Sequence, residues 1–359
     1  MAVWVLFFDL AANLCLRINS MSVWSYIVKR LFSMIPTVFG ALLVMFVLTR
    51  VLPGDPALMV LGPANQSSES IAAMRELMGL DRSMPVQFLN YLGQLLKGDL
   101  GYSFHAGKPV IDALITRFPA TFELTTFSLI LMILISVPLG VISGYYRNKT
   151  PDTLINGITV LGISMPTFWF GLVLIYIFYY LMGIAPAPMG RLSSEVSYPA
   201  TITGFLLVDT LLNGDLRAFS NAFGHLLLPG ISLAVFNQAI IVRTLKADLI
   251  ETLEEDYIRT ARAMGIGQRI VLFRHALRNA LLPTVTMVGT IYGYLLGGAV
   301  LAEVVFAWPG VGLYAVESIQ YLDYAGLQGF ILCYVLIFTM VNLLVDLSYR
   351  FIDPRVQLD

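Results

Sequence analysis

The sequence predicts an all-α, polytopic membrane protein with six spanning helices. Three observations carry this reading. The chain of 359 residues is 57% hydrophobic and only 13% charged, against about 45–50% and about 25% in soluble domains. Six apolar stretches each approach the roughly 20 residues that a helix needs to cross the hydrocarbon. Basic residues gather in four places that share one side of a membrane if the spans number six.

The elements follow in order. Residues 1–20, "MAVWVLFFDLAANLCLRINS", carry an apolar patch broken by Asp9 and no basic leader. They read as neither signal peptide nor span. Met21 is read as the natural start and residues 1–20 as an extension, with an interfacial segment as the alternative. Span one covers about 31–52, and with an external subdomain it makes up residues 21–120. That subdomain holds a helix near 70–78. The transmembrane domain covers 121–350, with further spans near 124–145, 155–182, 226–242, 280–301 and 329–347, and residues 351–359 form a tail.

Lys29 and Arg30 precede span one, and Arg147 and Lys149 fill the loop after span two. Arg243, Lys246, Arg259, Arg262, Arg269, Arg274 and Arg278 crowd the segment after span four, and Arg350 and Arg355 follow span six. Loops rich in Lys and Arg stay in the cytoplasm, so both termini are expected inside. Pro36, Pro138, Pro166 and Pro229 are expected to kink or break their helices. Cys15 and Cys333 lie in apolar surroundings and read as packing residues.

The segment "DYIRTARAMGIGQRIVLFRHALRNALLP", residues 256–283, is the unusual insert. Acidic residues come first (Asp248, Glu251, Glu254, Glu255) and basic ones later, the order that suits a helix dipole. Tyr257, Ala261 and Met264 predict one apolar stripe, with Arg259 and Arg262 on another face. Gly265 is expected to end the helix in a left-handed conformation. A second helix is expected from Gln268 through His275, with Pro283 near the start of span five. Such a rigid insert could rest on anionic lipid. Its small residues, Thr260, Ala261, Ala263 and Gly265, favour close approach of another protein.

On these residues the chain resembles permease subunits of binding-protein-dependent ABC importers. Arg259-Thr260-Ala261 stand where the family's cytoplasmic motif has E-A-A, Gly265 matches its glycine, and Leu282-Pro283 match its end. Arginine in place of the glutamate resembles the dipeptide/oligopeptide/nickel branch. So do "LPGDPA" (52–57), "GDLGYSF" (98–104), "RFPATFEL" (117–124), "GISMPTFWFG" (162–171) and "LAEVVFAWPGVG" (301–312). The chain departs from the branch at Asp323-Tyr324-Ala325, where a proline is more usual in the third position.

The resemblance implies a type I ABC importer transmembrane domain in the bacterial inner membrane. It implies pairing with a homologous second permease, and two ATPase subunits that bind ATP and Mg. A periplasmic or lipid-anchored binding protein would deliver the solute. Coupling to the ATPases then falls to Asp256, Tyr257, Arg259, Thr260, Ala261, Arg262, Ala263, Gly265, His275, Arg278, Asn279 and Pro283. The cargo implied is a di- or oligopeptide, with nickel, glutathione or another small solute as the alternative.

No G-x-x-x-x-G-K-[ST] phosphate loop is present, and "HAGKP" at 105–109 lacks its first glycine and its Ser/Thr. His105, His225 and His275 are dispersed, and no catalytic set, metal site or cofactor is expected in this chain. Nor is nucleic acid expected as a partner. Asn237 and Gln238 in span four are candidates for the translocation path, with interhelical hydrogen bonding as the default reading. Pro166 lies near that path. Glu123 is expected at the outer membrane edge, solvated or paired with Arg117, and Glu303 at an outer gate. A secondary transporter would want internal repeats and ionisable groups at mid-span, and the sequence displays neither.

Overall fold

The computed structural model describes residues 23–51, 54–61 and 67–352. Apart from one ribbon of two-residue strands, β1 Tyr102–Ser103 and β2 Lys108–Pro109, the regular structure among these residues is helical. Residues 1–20 and 353–359, with Cys15 and Arg355, lie outside the described residues.

Helix α1 (Val23–Val51) is apolar almost throughout and leads to the external subdomain of α2 (Pro56–Leu61), α3 (Ser68–Leu77) and α4 (Met84–Leu96). The helix expected near 70–78 is α3. It starts where the Ser67 hydroxyl accepts the Ser70 N–H at 3.1 Å, a side-chain N-cap. Arg50, at the end of α1, lies over the Phe46 ring and donates to Gln87 of α4 at 3.2 Å.

Helix α5 (Val110–Tyr145) has 36 residues. At 1.5 Å per residue it is about 54 Å long, far beyond the roughly 30 Å hydrocarbon thickness. It therefore begins well outside the expected second span and runs unbroken across position 120. The third expected span is not one rod. Helix α6 (Thr150–Ser164) and α7 (Thr167–Leu174, continuing as a π-helix over Ile175–Leu181) meet at a bend of 102°. Pro166 explains the break. Its ring forces the preceding residue out of the helical region, and Met165 is extended at φ −97°, ψ 128°.

A short helix α8 (Leu206–Leu212) precedes α9 (Leu216–Glu254), whose first turn is capped by Asp215 accepting from the Ala218 N–H at 2.8 Å. Then come α10 (Asp256–Ala263), α11 (Gln268–Ile270), a π-helical stretch over Val271–Ala276, and α12 (Leu277–Gly298). Helices α13 (Val300–Val305), α14 (Val311–Gln320) and α15 (Tyr324–Ile352) complete the chain. Among the described residues, five helical segments are long and apolar enough to cross a membrane, or six with the bent pair.

The core lies where α5, α9 and α12 meet. Leu124 and Met132 pack with Leu226, Leu233 and Ile241, and with Ile291 and Leu295. Packing in lipid relies on close fit rather than on the hydrophobic effect. A methyl group at Gly297 of α12 would fall 1.8 Å from the Tyr334 ring of α15, so only glycine lets these two helices touch. On one end of the bundle, α5 and α9 are joined by the Arg147–Glu254 ion pair at 3.0 Å. At the other end, Gln328 of α15 reaches Thr49 of α1 at 3.4 Å. The start of α1, the α5–α6 turn, the α9–α12 segment and the end of α15 thus share one end, as the four basic clusters require.

Candidate functional site

The segment after α9 forms a compact wedge. Its helix α10 ends in a Schellman motif. The Ile266 N–H donates to the Ala261 carbonyl at 3.2 Å, and the Gly265 N–H to the Arg262 carbonyl at 3.0 Å. Gly265 itself sits at φ +77°, and nothing in the chain lies within 4 Å of where its Cβ would stand. Asp256 opens the helix and Arg262 closes it, each at the end where its charge opposes the dipole.

Two side chains seat α10 on the bundle. Ile258 and Ala261 are 0% and 4% exposed. They pack with Val141 of α5, Leu245 and Leu249 of α9, Val271, Leu272 and Ala276 of the π-helical stretch, and Ala280 of α12. The expected stripe of Tyr257, Ala261 and Met264 is therefore corrected. Ala261 is buried, but Tyr257 and Met264 are 42% and 69% exposed. An eight-residue helix buries only what its neighbours cover, above all the π-helical stretch and the end of α9. That face is centred on Ile258, with Ile266 folding back beneath it.

The exposed face carries Asp256, Arg259, Thr260, Arg262 and Ala263. Asp256 and Arg259 pair at 3.2 Å in solvent, a contact worth little to stability. The Asn279 amide donates to the Tyr257 hydroxyl at 2.7 Å, and the Tyr145 hydroxyl donates to Gln268 at 2.7 Å. His275 is half-buried on the π-helical stretch, while Arg278 and Pro283 are exposed. Pro283 lies inside α12 rather than at its start, because the helix begins upstream. Beneath the wedge, Lys246 of α9 pairs with buried Asp152 of α6 at 2.5 Å. Asp152 also accepts from the Ser143 hydroxyl at 2.5 Å and the Asn148 N–H at 3.0 Å. The wedge is thus fixed through α9 to the first half of the bent pair.

The candidate path residues do not form one cluster. The Asn237 amide donates to the Leu233 carbonyl of its own helix at 2.9 Å. Gln238 is 3% exposed and lines a cleft at the Met165–Pro166 break. Glu123 is not solvated and does not pair with Arg117. It binds Arg191, from the loop before α8, and accepts the Leu207 N–H at 2.9 Å. Arg117 instead pairs with Glu317 at 2.9 Å. Glu303, on α13, is fully buried. It accepts the Thr121 hydroxyl at 2.5 Å and the Leu313 N–H at 2.8 Å. Burial pushes its carboxyl above the usual range, and those donors offset the rise only in part. His225 is buried in α9, its Nδ1 donating to the Asn221 carbonyl at 2.9 Å. Among the described residues no three His, Cys, Asp or Glu converge on a metal-sized space.

Residues 136–358 match the family described as binding-protein-dependent transport system inner membrane component. The chain belongs to that family. Residues 23–125 match the N-terminal part described for the same transport systems. A probable D,D-dipeptide transport system permease protein of Escherichia coli K12 is 42% identical over 337 residues, 94% of this chain and 98% of that protein. A dipeptide transport system permease protein of Alkalihalophilus pseudofirmus is 40% identical over 333 residues, 93% and 99% of the two chains. A glutathione transport system permease protein of Escherichia coli O6:H1 is 35% identical over 333 residues, 93% and 99%. The chain is a multi-pass inner-membrane permease of the ABC-importer class, whose transport depends on a solute-binding protein.

Two features of this permease escaped the sequence reading. Glycines 289, 293 and 297 form a stripe on α12 against Val345, Phe338 and Tyr334 of α15. Their four-residue spacing was a readable signal of close helix packing. The Arg191–Glu123 pair joins residues 68 apart in the chain, and no local pattern announces it.

Proposed function

We propose that this chain forms half of the translocation path of an ATP-driven importer of di- or oligopeptides. The observation that carries the proposal is the wedge α10. It is seated on α5, α9 and α12 by Ile258 and Ala261, while a polar face with small residues stands clear. A partner pushing on that face would move three spanning helices together. The partners are two ATPase subunits on the cytoplasmic side, which hold ATP and Mg and perform the hydrolysis. Asp256, Tyr257, Arg259, Thr260, Arg262, Ala263 and Gly265 form the docking face. Ala261 holds the helix in place, and His275, Arg278, Asn279 and Pro283 flank it. A homologous second permease supplies the other half of the path, and a periplasmic or lipid-anchored binding protein delivers cargo at the opposite end. Both termini are then cytoplasmic.

The peptide cargo is supported by the dipeptide permeases among the relatives. The glutathione permease at 35% identity keeps that γ-linked peptide as the second reading. The test is uptake by the assembled complex in liposomes. ATP-dependent accumulation of a labelled dipeptide, uncompeted by glutathione or nickel, is expected. Accumulation of glutathione or nickel with no dipeptide uptake would reassign the cargo.

A further inference from the structure

The bend between α6 and α7 opens a cleft of ≈ 190 Å³ against α9, lined by Ile158, Leu161, Met165, Thr167, Val235 and Gln238 among others. The walls are apolar except at two points. One is the start of α7. The Phe170 N–H is the first to find a helical partner, at Pro166, so the N–H groups of Thr167, Phe168 and Trp169 have no acceptor within the helix. No side chain caps them. The other is Gln238. Its side chain is almost wholly buried, its Oε1 has no hydrogen-bond partner, and its Nε2 points toward Gly162 at the end of α6.

A buried carboxamide oxygen without a partner is costly. Broken backbone at membrane depth is tolerated only against protein or a wet cavity. The break lies 15 residues into α6, about 22 Å along it, which is inside a layer about 30 Å thick. The cleft is smaller than a pocket for a whole drug-sized ligand.

We propose that Gln238 and the broken α6–α7 segment form a way-station that takes the backbone of one residue of the translocating peptide. A carboxamide presents one acceptor and two donors on one plane. The N–H and C=O of a single trans peptide group point in opposite directions, but those of one extended residue point the same way and pair edge to edge with the carboxamide through two hydrogen bonds that ignore the cargo's side chains. The free N–H groups of α7 donate to a further carbonyl. The apolar walls take a side chain of any moderate size. This proposal rests on the peptide-import reading.

The test uses the whole complex in liposomes, with labelled dialanine, and reads uptake and binding-protein-stimulated ATP hydrolysis separately. Loss of two hydrogen bonds at about 0.5–1.5 kcal/mol each predicts that Gln238→Leu lowers uptake roughly 5- to 150-fold. Stimulated hydrolysis should persist, and Gln238→Asn should recover part of the uptake. In the unsubstituted complex, a dipeptide with a photoreactive side chain should label residues 158–170 or 235–238 during turnover. Normal uptake by Gln238→Leu, or labelling confined to other segments, overturns the way-station and leaves the importer reading intact. No dialanine uptake by the unsubstituted complex overturns both.

Discussion

Substitutions at Gly265 separate the fold of the wedge from its docking. The residue sits at φ +77° with open space around its Cβ position. Any L-residue there costs about 1–2 kcal/mol of backbone strain. By the tenfold per 1.4 kcal/mol rule, Gly265→Ala should raise hydrogen exchange in residues 256–266 by roughly 5- to 30-fold. Gly265→Trp pays the same backbone cost, and its Cβ likewise meets nothing in this chain. Its added bulk projects from the exposed end of α10, on the proposed docking face. In the assembled complex, Gly265→Ala should keep most ATP-driven uptake. Gly265→Trp should lose it while the permease still reaches the membrane and the ATPases still hydrolyse ATP. Equal uptake by the two variants would refute a partner seated over Gly265. Unchanged exchange in Gly265→Ala would refute the strain.

Three further outcomes follow from the geometry. Asp152→Ala strips the partner from Lys246 and should cost about 3–5 kcal/mol in thermal unfolding in detergent; the double variant with Lys246→Met should recover most of it. Gly297→Ala drives a methyl into the Tyr334 ring, so α12 and α15 must separate, and the folded yield in detergent should fall sharply; unchanged yield would contradict the packing. Glu303→Gln should be milder than Glu303→Ala, which leaves the Thr121 hydroxyl and the Leu313 N–H unmatched at about 1–3 kcal/mol each. Because burial raises the Glu303 pKa, its contribution is greatest below the usual carboxylate range and declines as pH rises through the raised value. The neutral glutamine should lack that decline in unfolding scans against pH.

Much of the fold was legible because lipid imposes simple rules. Apolar length gave the spans, basic residues gave their shared end, and Gly265 marked the stop of α10 by its backbone alone. What failed depended on direction or on distant partners. Hydropathy counts residues 155–182 as one span because it cannot register the 102° turn at Pro166, although the proline itself was flagged. The buried face of α10 is chosen by α5, α9 and α12, so Ile258 was missed while Tyr257 was favoured. Glu123 was given its near neighbour Arg117, but Arg191 lies closer in space. Gln238 was named as a candidate, yet only the cleft beside it distinguishes it from Asn237, which is satisfied by its own helix.

The central claim is that the wedge couples this permease to ATPases. The most direct measurement is gentle solubilisation of membranes carrying a tagged chain, followed by mass spectrometry of what co-purifies. Two ATPase subunits and a second permease should co-purify with the tagged chain. A lone chain that transports in liposomes without ATP would contradict the claim.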